Sequence, residues 1–411
     1  MTKEQIFKLF EDTTYVRTSG SPAEKQAAER IAEECRKIGL EPHFEEFEVA
    51  MSTVHTATLT VDGETVTCRG YRLCGDHDVE APLHYLPTTD KWELAKCRGK
   101  IVITEQPVGY WLYHDLVDAG VLGIITLSGT MFDPHNDIDD KELRPYYSED
   151  TKKLPMVHVH YRDGVELVKR GFKTAHITIA ENPYVGTSQN VIAELPGEID
   201  EWIVLSAHYD STPLSVGVYD NMTGAIGILG IAEYFTKHPH RRGLRFMWCG
   251  SEERGLLGTK AYVAAHQAEL SKIVLNINLD MIGTIMGYLH VICTAEEAAT
   301  HYVRYFLREL GVPGKADQRV HSSDSAVFAL NGVPAFSIAH RTYPGGSEIH
   351  TRNDSHAVLS EDSMLRDIET ISALADRMAN AEILPVSRTI PQNVQEKLDY
   401  YFFRKRETPK E

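Results

Sequence analysis

An imidazole and a carboxylate two positions apart, His208 and Asp210, close an apolar run in the stretch IVLSAHYDSTPLSVGVYDNMTGAIG. The run Ile203–Leu205 is short enough for a buried strand, and open α/β sheets build their sites at the carboxyl ends of strands. A Gly-flanked turn then carries Asp220 and Asn221, and an apolar stretch from about Gly224 reads as a helix. A histidine and two carboxylates at such a place suit a metal ion. Three later stretches repeat the pattern. LRFMWCG runs into Ser251-Glu252-Glu253, IVLNINLDMIG places Asp280 inside an apolar run, and SEIHTRNDS offers His350 with Asp354 close behind. Taken singly, each has an ordinary explanation: paired acids open helices, strand-end aspartates are exposed, and loop histidines are solvated. Together they supply two imidazoles, three carboxylates and one spare acid at the strand ends of one sheet. Zinc accepts that mixture of nitrogen and oxygen, and two ions ~3.5–4 Å apart would hold a water between them. Where two acids adjoin, one on metal and one free, the free one can take the water's proton. The chemistry is hydrolysis without a nucleophilic side chain.

The elements that must position these residues alternate. From Ser188 onward, short apolar runs (QNVIAEL, WIVLSAH, LRFMWCG, KIVLNINLDMIG, LHVICTA, VPAFSIAH) alternate with helical stretches. That order implies an α/β fold, a mixed, mainly parallel central sheet with helices on both faces. The last helix starts near Ser360 and buries Met364, Ile368, Ile371, Ala375 and Met378. Upstream, Pro22 opens a helix whose apolar positions run from Ala27 to Ile38, followed by alternating strand character from Leu40 to Ala50. Between them the texture changes to short β-rich runs, with one helical stretch at Tyr110–Ala119. The division expected is an N-terminal part of the catalytic domain at 1–51, an inserted β-rich domain at 52–183, the catalytic domain at 184–385 and a tail at 386–411. In the tail, Val394, Leu398, Tyr401 and Phe402 sit at helical spacing, fit to pack on the body or on a second subunit, so a homo-oligomer stays open. The acidic loop at Pro134–Glu142 reads as solvated rather than as a cation site.

A chain of 411 residues is about right for two domains, and 42% hydrophobic content fills their cores. A net charge of −17 argues against nucleic acid or an anionic membrane as partner, since both would repel it. The first residues lack the apolar segment of a secretory signal, and the six cysteines show no CxxC spacing. Free thiols and a cytoplasmic location are therefore expected.

The motif series AHYDS, YDNMTGAIG, SEERGLLG, NLDMIG and IHTRND, with SQNVIAELPG ahead of it, resembles that of the co-catalytic di-zinc aminopeptidases, which include leucyl aminopeptidases and glutamate carboxypeptidase-like enzymes. The resemblance covers Ser188 to about Glu382 and the helix and strand at Pro22–Ala50. CRGKIVITEQ and DAGVLGIITLSG give the inserted segment a likeness to the protease-associated domain. What the resemblance implies is two Zn²⁺, with Co²⁺ or Mn²⁺ able to occupy similar ligands. His208 and Asp280 would hold one ion, Glu253 and His350 the other, and Asp220 would bridge them. Glu252 would be the general base, and Asp210 would accept from His208 and fix its tautomer. The Asp220–Asn221 bond would be cis.

Two positions depart from the family pattern. Ile349 stands where many relatives carry a tyrosine before the last histidine ligand, which makes Tyr343 a candidate oxyanion donor in its place. Ser323-Asp324-Ser325 stands where many have Ser-Asp-His. The activity implied is a zinc exopeptidase acting on peptides, an aminopeptidase first. The alternatives are a di-zinc carboxypeptidase or amidohydrolase, in which Arg319 or Arg341 would meet the substrate carboxylate, and a metal-free binding scaffold.

Overall fold

A computed structural model describes residues 1–406. The chain divides into two compact units, one of Met1–Val49 with the chain from Thr187 onward, the other of Ala50–Gly186. The strand His43–Val61 leads from the first into the second, and the strand Thr174–Leu195 leads back.

In the first unit we number the strands β1 (Thr174–Leu195), β2 (Ile199–His208), β3 (Arg242–Cys249), β4 (Ile273–Leu279), β5 (Tyr288–Thr294), β6 (Gly314–Gln318) and β7 (Ala335–Arg341). Its helices are α1 (Lys3–Thr13), α2 (Pro22–Lys37), α3 (Thr223–Phe235), α4 (Leu257–Ala265), α5 (Glu297–Glu309), α6 (Asp324–Leu330), α7 (Glu361–Asn380) and α8 (Gln392–Tyr401). The strand order is β6-β5-β7-β4-β2-β3-β1. At its centre β7, β4, β2 and β3 run parallel, while β1 and β5 join antiparallel and β6 runs parallel to β5. Every residue of β3 and of β4 is buried, as parallel strands covered on both faces require.

Alternation along β2 sends Ile203, Leu205 and Ala207 into a core with α1, α2, α3, α5 and α7, and Val204 into one with α4 and α6. Helix α2 starts as its sequence promises, with Ser21 capping and Pro22 in the first turn. Helix α8 lays Val394 and Leu398 against Ala326, Ala329 and Ala335, so the tail's apolar residues pack on the body.

The second unit has its own core around Ile101, Ile103, Ile124, Ile125, Val157 and Val159. Its parallel strands are His77–Tyr85, Ile101–Thr104, Gly123–Ser128 and Met156–His160. The single helix expected here at Tyr110–Ala119 is present as Tyr110–Asp118, but Tyr161–Arg170 is helical as well. Gly164, inside that second helix, reads as a turn residue in sequence. Its lack of a side chain instead admits Leu127, whose Cδ2 would stand 2.5 Å from a Cβ there. All six cysteines are free, and all but Cys68 are buried. Among the described residues, no helix is long and apolar enough to cross a membrane.

Candidate metal centre

Parallel pairing brings the ends of β7, β4, β2 and β3 to one edge of the sheet. His208, the last residue of β2, lies opposite Cys249, the last of β3, so Glu252 and Glu253 emerge beside it. Asp280 follows the end of β4, its N–H donating to the Ile338 carbonyl of β7 at 2.9 Å. His350 comes from the loop between β7 and α7, and Asp220 from the irregular turn before α3.

These residues, spread over more than a third of the chain, converge. His208 Nε2 is 3.1 Å from Asp220 Oδ1 and 3.7 Å from Asp280 Oδ1. His350 Nε2 is 3.1 Å from both Asp220 Oδ2 and Glu253 Oε2. Three groupings place their ligand atoms within 4.8 Å of one another: His208, Asp220 and Asp280; His208, Glu252 and Glu253; Asp220, Glu253 and His350. Among the described residues no such grouping falls in the acidic loop at 134–142.

Backbone geometry at the site is held from outside it. Asp210 accepts from the N–H groups of Glu252 at 2.9 Å and Glu253 at 3.2 Å. Its approach to His208 Nδ1 is longer, 3.4 Å, and Nδ1 makes no directed hydrogen bond. The carboxylate that was expected to orient the imidazole therefore grips the double-acid turn more tightly. Asp354 accepts from the N–H groups of Tyr219 at 2.8 Å and Asp220 at 3.2 Å. The Asp220–Asn221 bond is cis, and the Asn221 side chain donates to Leu279 O at 2.9 Å while accepting from Met281 N at 2.9 Å. Ser251, Met281 and His350 all take left-handed φ, at 57°, 72° and 58°. A non-glycine residue there costs about 1–2 kcal/mol, so strain gathers around the acids and the last imidazole.

Two buried ionisable residues that no motif announced complete the frame. Arg17 is fully buried, and its guanidinium donates to the carbonyls of Thr13 and Tyr15 at 3.1 Å, Gly217 at 2.5 Å, and Tyr209 and Val216. Glu24 on α2, equally buried, accepts from Ser251 N at 2.9 Å, Ser188 Oγ at 2.9 Å and Gly20 N at 2.7 Å. Tyr343 is 73% exposed, its ring 6.1 Å from that of Tyr288. Ser325, where the family pattern has an imidazole, shares a hydrogen bond of 2.6 Å with Ser323.

The electrostatics show what this donor set lacks. Burial lifts the Glu252 carboxyl well above its ordinary value against the pull of His208, with Glu253, Asp324 and Asp280 adding to the lift. Burial and Asp220 push Glu253 up to about 7. His350, although burial opposes its charge, is raised to about 11 by Asp220 and Glu253. His208 is raised well above the usual imidazole range by Glu252, Asp210, Asp220 and Asp280, again against burial. Protons thus occupy the places where cations are wanted. Asp280 Oδ1 is in addition buried without a hydrogen-bond partner. Two imidazoles that hold their protons, two lifted glutamates and a shared aspartate that His208 and His350 keep below its ordinary value fit a pair of divalent ions of the zinc type.

Comparison with known proteins agrees with this geometry. Residues 190–375 match the model for peptidase family M28. The chain is 25% identical over 407 residues to aminopeptidase YwaD of Bacillus subtilis, covering 94% of this chain and 86% of that one. It is 33% identical over 263 residues to leucine aminopeptidase 2 of Trichophyton rubrum, which is 59% of this chain and 51%, about half, of that relative. The fold matches that of a zinc aminopeptidase from Bacillus subtilis with TM-score 0.77 at 21% identity, over 95% of this chain and 97% of that one.

Proposed function

Taking as premise that residues 190–375 belong to peptidase family M28, we propose that this chain is a zinc-dependent exopeptidase, an aminopeptidase that removes N-terminal residues from peptides. The observation that carries the proposal is Asp220. Its two oxygens each lie 3.1 Å from Nε2 of a different histidine, so one carboxylate addresses two cation positions. His208 and Asp280 would hold one zinc, His350 and Glu253 the other, with Asp220 between them. When bound, the pair would polarise the scissile carbonyl and acidify the attacking water.

The chain's own part is positioning and proton transfer. Glu252, lifted by burial, is a base strong enough to take the water's proton and an acid able to return it to the leaving amine. Asp210 fixes the backbone of both acids, and Asp354 that of the bridging aspartate. Glu252 and the carboxylate ligands make a local negative site suited to the cationic amine of a free N-terminus.

The remaining expectations are readings of the same kind. The unit of Ala50–Gly186 is taken as a protease-associated domain because it interrupts the catalytic unit where some members of the family carry one. The net charge of −17 supports a chain that shuns nucleic acid and anionic membranes, and unpaired cysteines support a cytoplasmic setting.

A panel of peptides with free and acetylated N-termini, assayed with and without chelator, tests the proposal. Cleavage confined to free-amine peptides, lost with chelator and restored by zinc, is the expected result. Equal cleavage of acetylated peptides would remove the aminopeptidase assignment. Activity that survives full metal removal would remove the metallohydrolase.

A further inference from the structure

Four successive backbone N–H groups after the end of β3 are each met by a side chain from elsewhere in the chain. Gly250 N donates to Asn190 Oδ1 at 3.2 Å and Ser251 N to Glu24 Oε1 at 2.9 Å. Glu252 N and Glu253 N donate to the two oxygens of Asp210 at 2.9 and 3.2 Å. The turn so held is strained, since Ser251 takes φ 57° and Leu256 φ 63°. Ser251 is itself fully buried, so releasing its bond would strand a buried N–H and let the left-handed residue relax. The two residues that follow are the general base and a metal ligand of the proposed mechanism.

Glu24 comes to this turn from the first part of the chain, and its local sequence suits it to another task. Ser21-Pro22-Ala23-Glu24 has the spacing of a capping box, in which the serine accepts from the glutamate N–H and the glutamate reaches back to the N–H of the cap. The first half is made, with Glu24 N donating to Ser21 Oγ at 3.1 Å. The second half is diverted. Oε2 accepts from Gly20 N at 2.7 Å, one residue before the cap, and Oε1 turns into the body to meet Ser251 N, Ser251 Oγ at 3.2 Å and Ser188 Oγ at 2.9 Å. A capping glutamate on a surface helix stays in water, whereas this one is fully buried, which is costly unless its bonds compensate. The approach is also close. A Cβ on Gly250 would stand 2.5 Å from the Gln189 carbonyl, 2.6 Å from Ser188 Oγ and 3.1 Å from Glu24 Oε1. Ser19 Oγ shares a hydrogen bond of 2.5 Å with Ser251 Oγ, so the segment leading into α2 grips the same residue twice.

We infer that Glu24 is a positioning residue for Glu252, acting through Ser251 to fix the backbone from which the base reaches the water and then the leaving amine. The inference rests on the aminopeptidase reading above and deepens it. What Glu24 supplies is a hydrogen-bond acceptor at one place, so its effect falls on proton transfer rather than on substrate binding.

The test compares Glu24→Ala with the unaltered zinc-loaded enzyme on two substrates, leucine p-nitroanilide and Leu-Gly-amide. p-Nitroaniline departs with less help from an acid than an alkyl amine does, so a displaced Glu252 costs the peptide more. On Leu-Gly-amide kcat should fall by about tenfold or more with KM changed by less than about twofold, and the ratio of the two kcat values should move toward the nitroanilide by about threefold or more. A smaller active fraction would scale both rates alike and leave that ratio where it was. Glu24→Gln, which keeps an oxygen for Ser251 N, should restore most of the kcat and the ratio. Should the alanine chain not fold, Glu24→Leu fills the space without an acceptor and is read in the same way. A ratio unmoved by loss of the acceptor, or a glutamine variant no better than the apolar ones, would overturn the inference and leave the aminopeptidase standing. Failure of the unaltered enzyme to cleave either substrate would overturn both.

Discussion

Glu252 and Glu253 are adjacent and chemically alike, yet their surroundings part them. Glu253 reaches His350 at 3.1 Å, while Glu252 is lifted by burial and by acids on several sides. Glu252→Gln, which keeps the shape and removes the base, should lower kcat by about 10²–10⁴-fold. Zinc content measured on the same sample should stay at two per chain if the ligands are those proposed. Arg17 makes a second prediction. Its guanidinium serves five carbonyls, three of them in the segment that leads to Asp220, and burial lowers its pKa only to about 10, so it stays charged at neutral pH. Arg17→Met should cost more than about 3 kcal/mol in urea denaturation of the metal-free chain, since it strands those carbonyls. His208, Glu253 and Asp280 were legible in sequence because each comes just after an apolar run, whereas Asp220 and His350 sit in a turn and a loop and were legible only as members of the ordered motif series. Arg17 and Glu24 were not, since their partners lie up to 227 residues away and no local pattern marks them.

Among elements, the parallel strands were the easiest to read. Runs such as LRFMWC and IVLNINL are apolar throughout because both faces are covered, and polar residues begin where the sheet ends. Helix Tyr161–Arg170 escaped because Gly164 looks like punctuation and α1 because it precedes any motif. The join between α3 and β4 shows how closely elements must approach to bring Asp220 to Asp280. A Cβ on Gly224 would stand 2.5 Å from both the Leu279 carbonyl and Asn221 Oδ1. Gly224→Ala should therefore push α3 away from the end of β4. The expected result is zinc affinity weakened by about tenfold or more, read by competition with a chelator, with far-ultraviolet circular dichroism retained. Unchanged affinity would show that the turn carrying Asp220 is adaptable.

At the scale of the molecule, the displaced protons make stability depend on pH and on metal together. Burial lifts Glu24 to about 8, Glu253 to about 7 and Asp324 to about 6 in the metal-free chain. Each holds its proton in the folded state over a range where the unfolded chain has released it, so folding weakens as pH climbs from about 4 through those values. His350 has the same sign. Its contribution is complete below the ordinary imidazole value and is lost as pH rises through about 11, though with 45% of the side chain exposed, water softens its share. Melting temperature of the chelated protein should therefore fall steadily between pH 5 and pH 9. Saturating zinc, which would replace the protons on Glu253 and His350 but not those on Glu24 and Asp324, should make the slope shallower, and parallel curves with and without metal would contradict it. The thiols offer a way to see where such loosening begins. Cys35, Cys249 and Cys293 belong to the catalytic unit, Cys68, Cys74 and Cys97 to the other, and burial keeps each of them sluggish toward alkylating reagents. Pulse alkylation followed by peptide mass mapping would then act as a pair of independent clocks, one per unit, timing which half of the chain opens first.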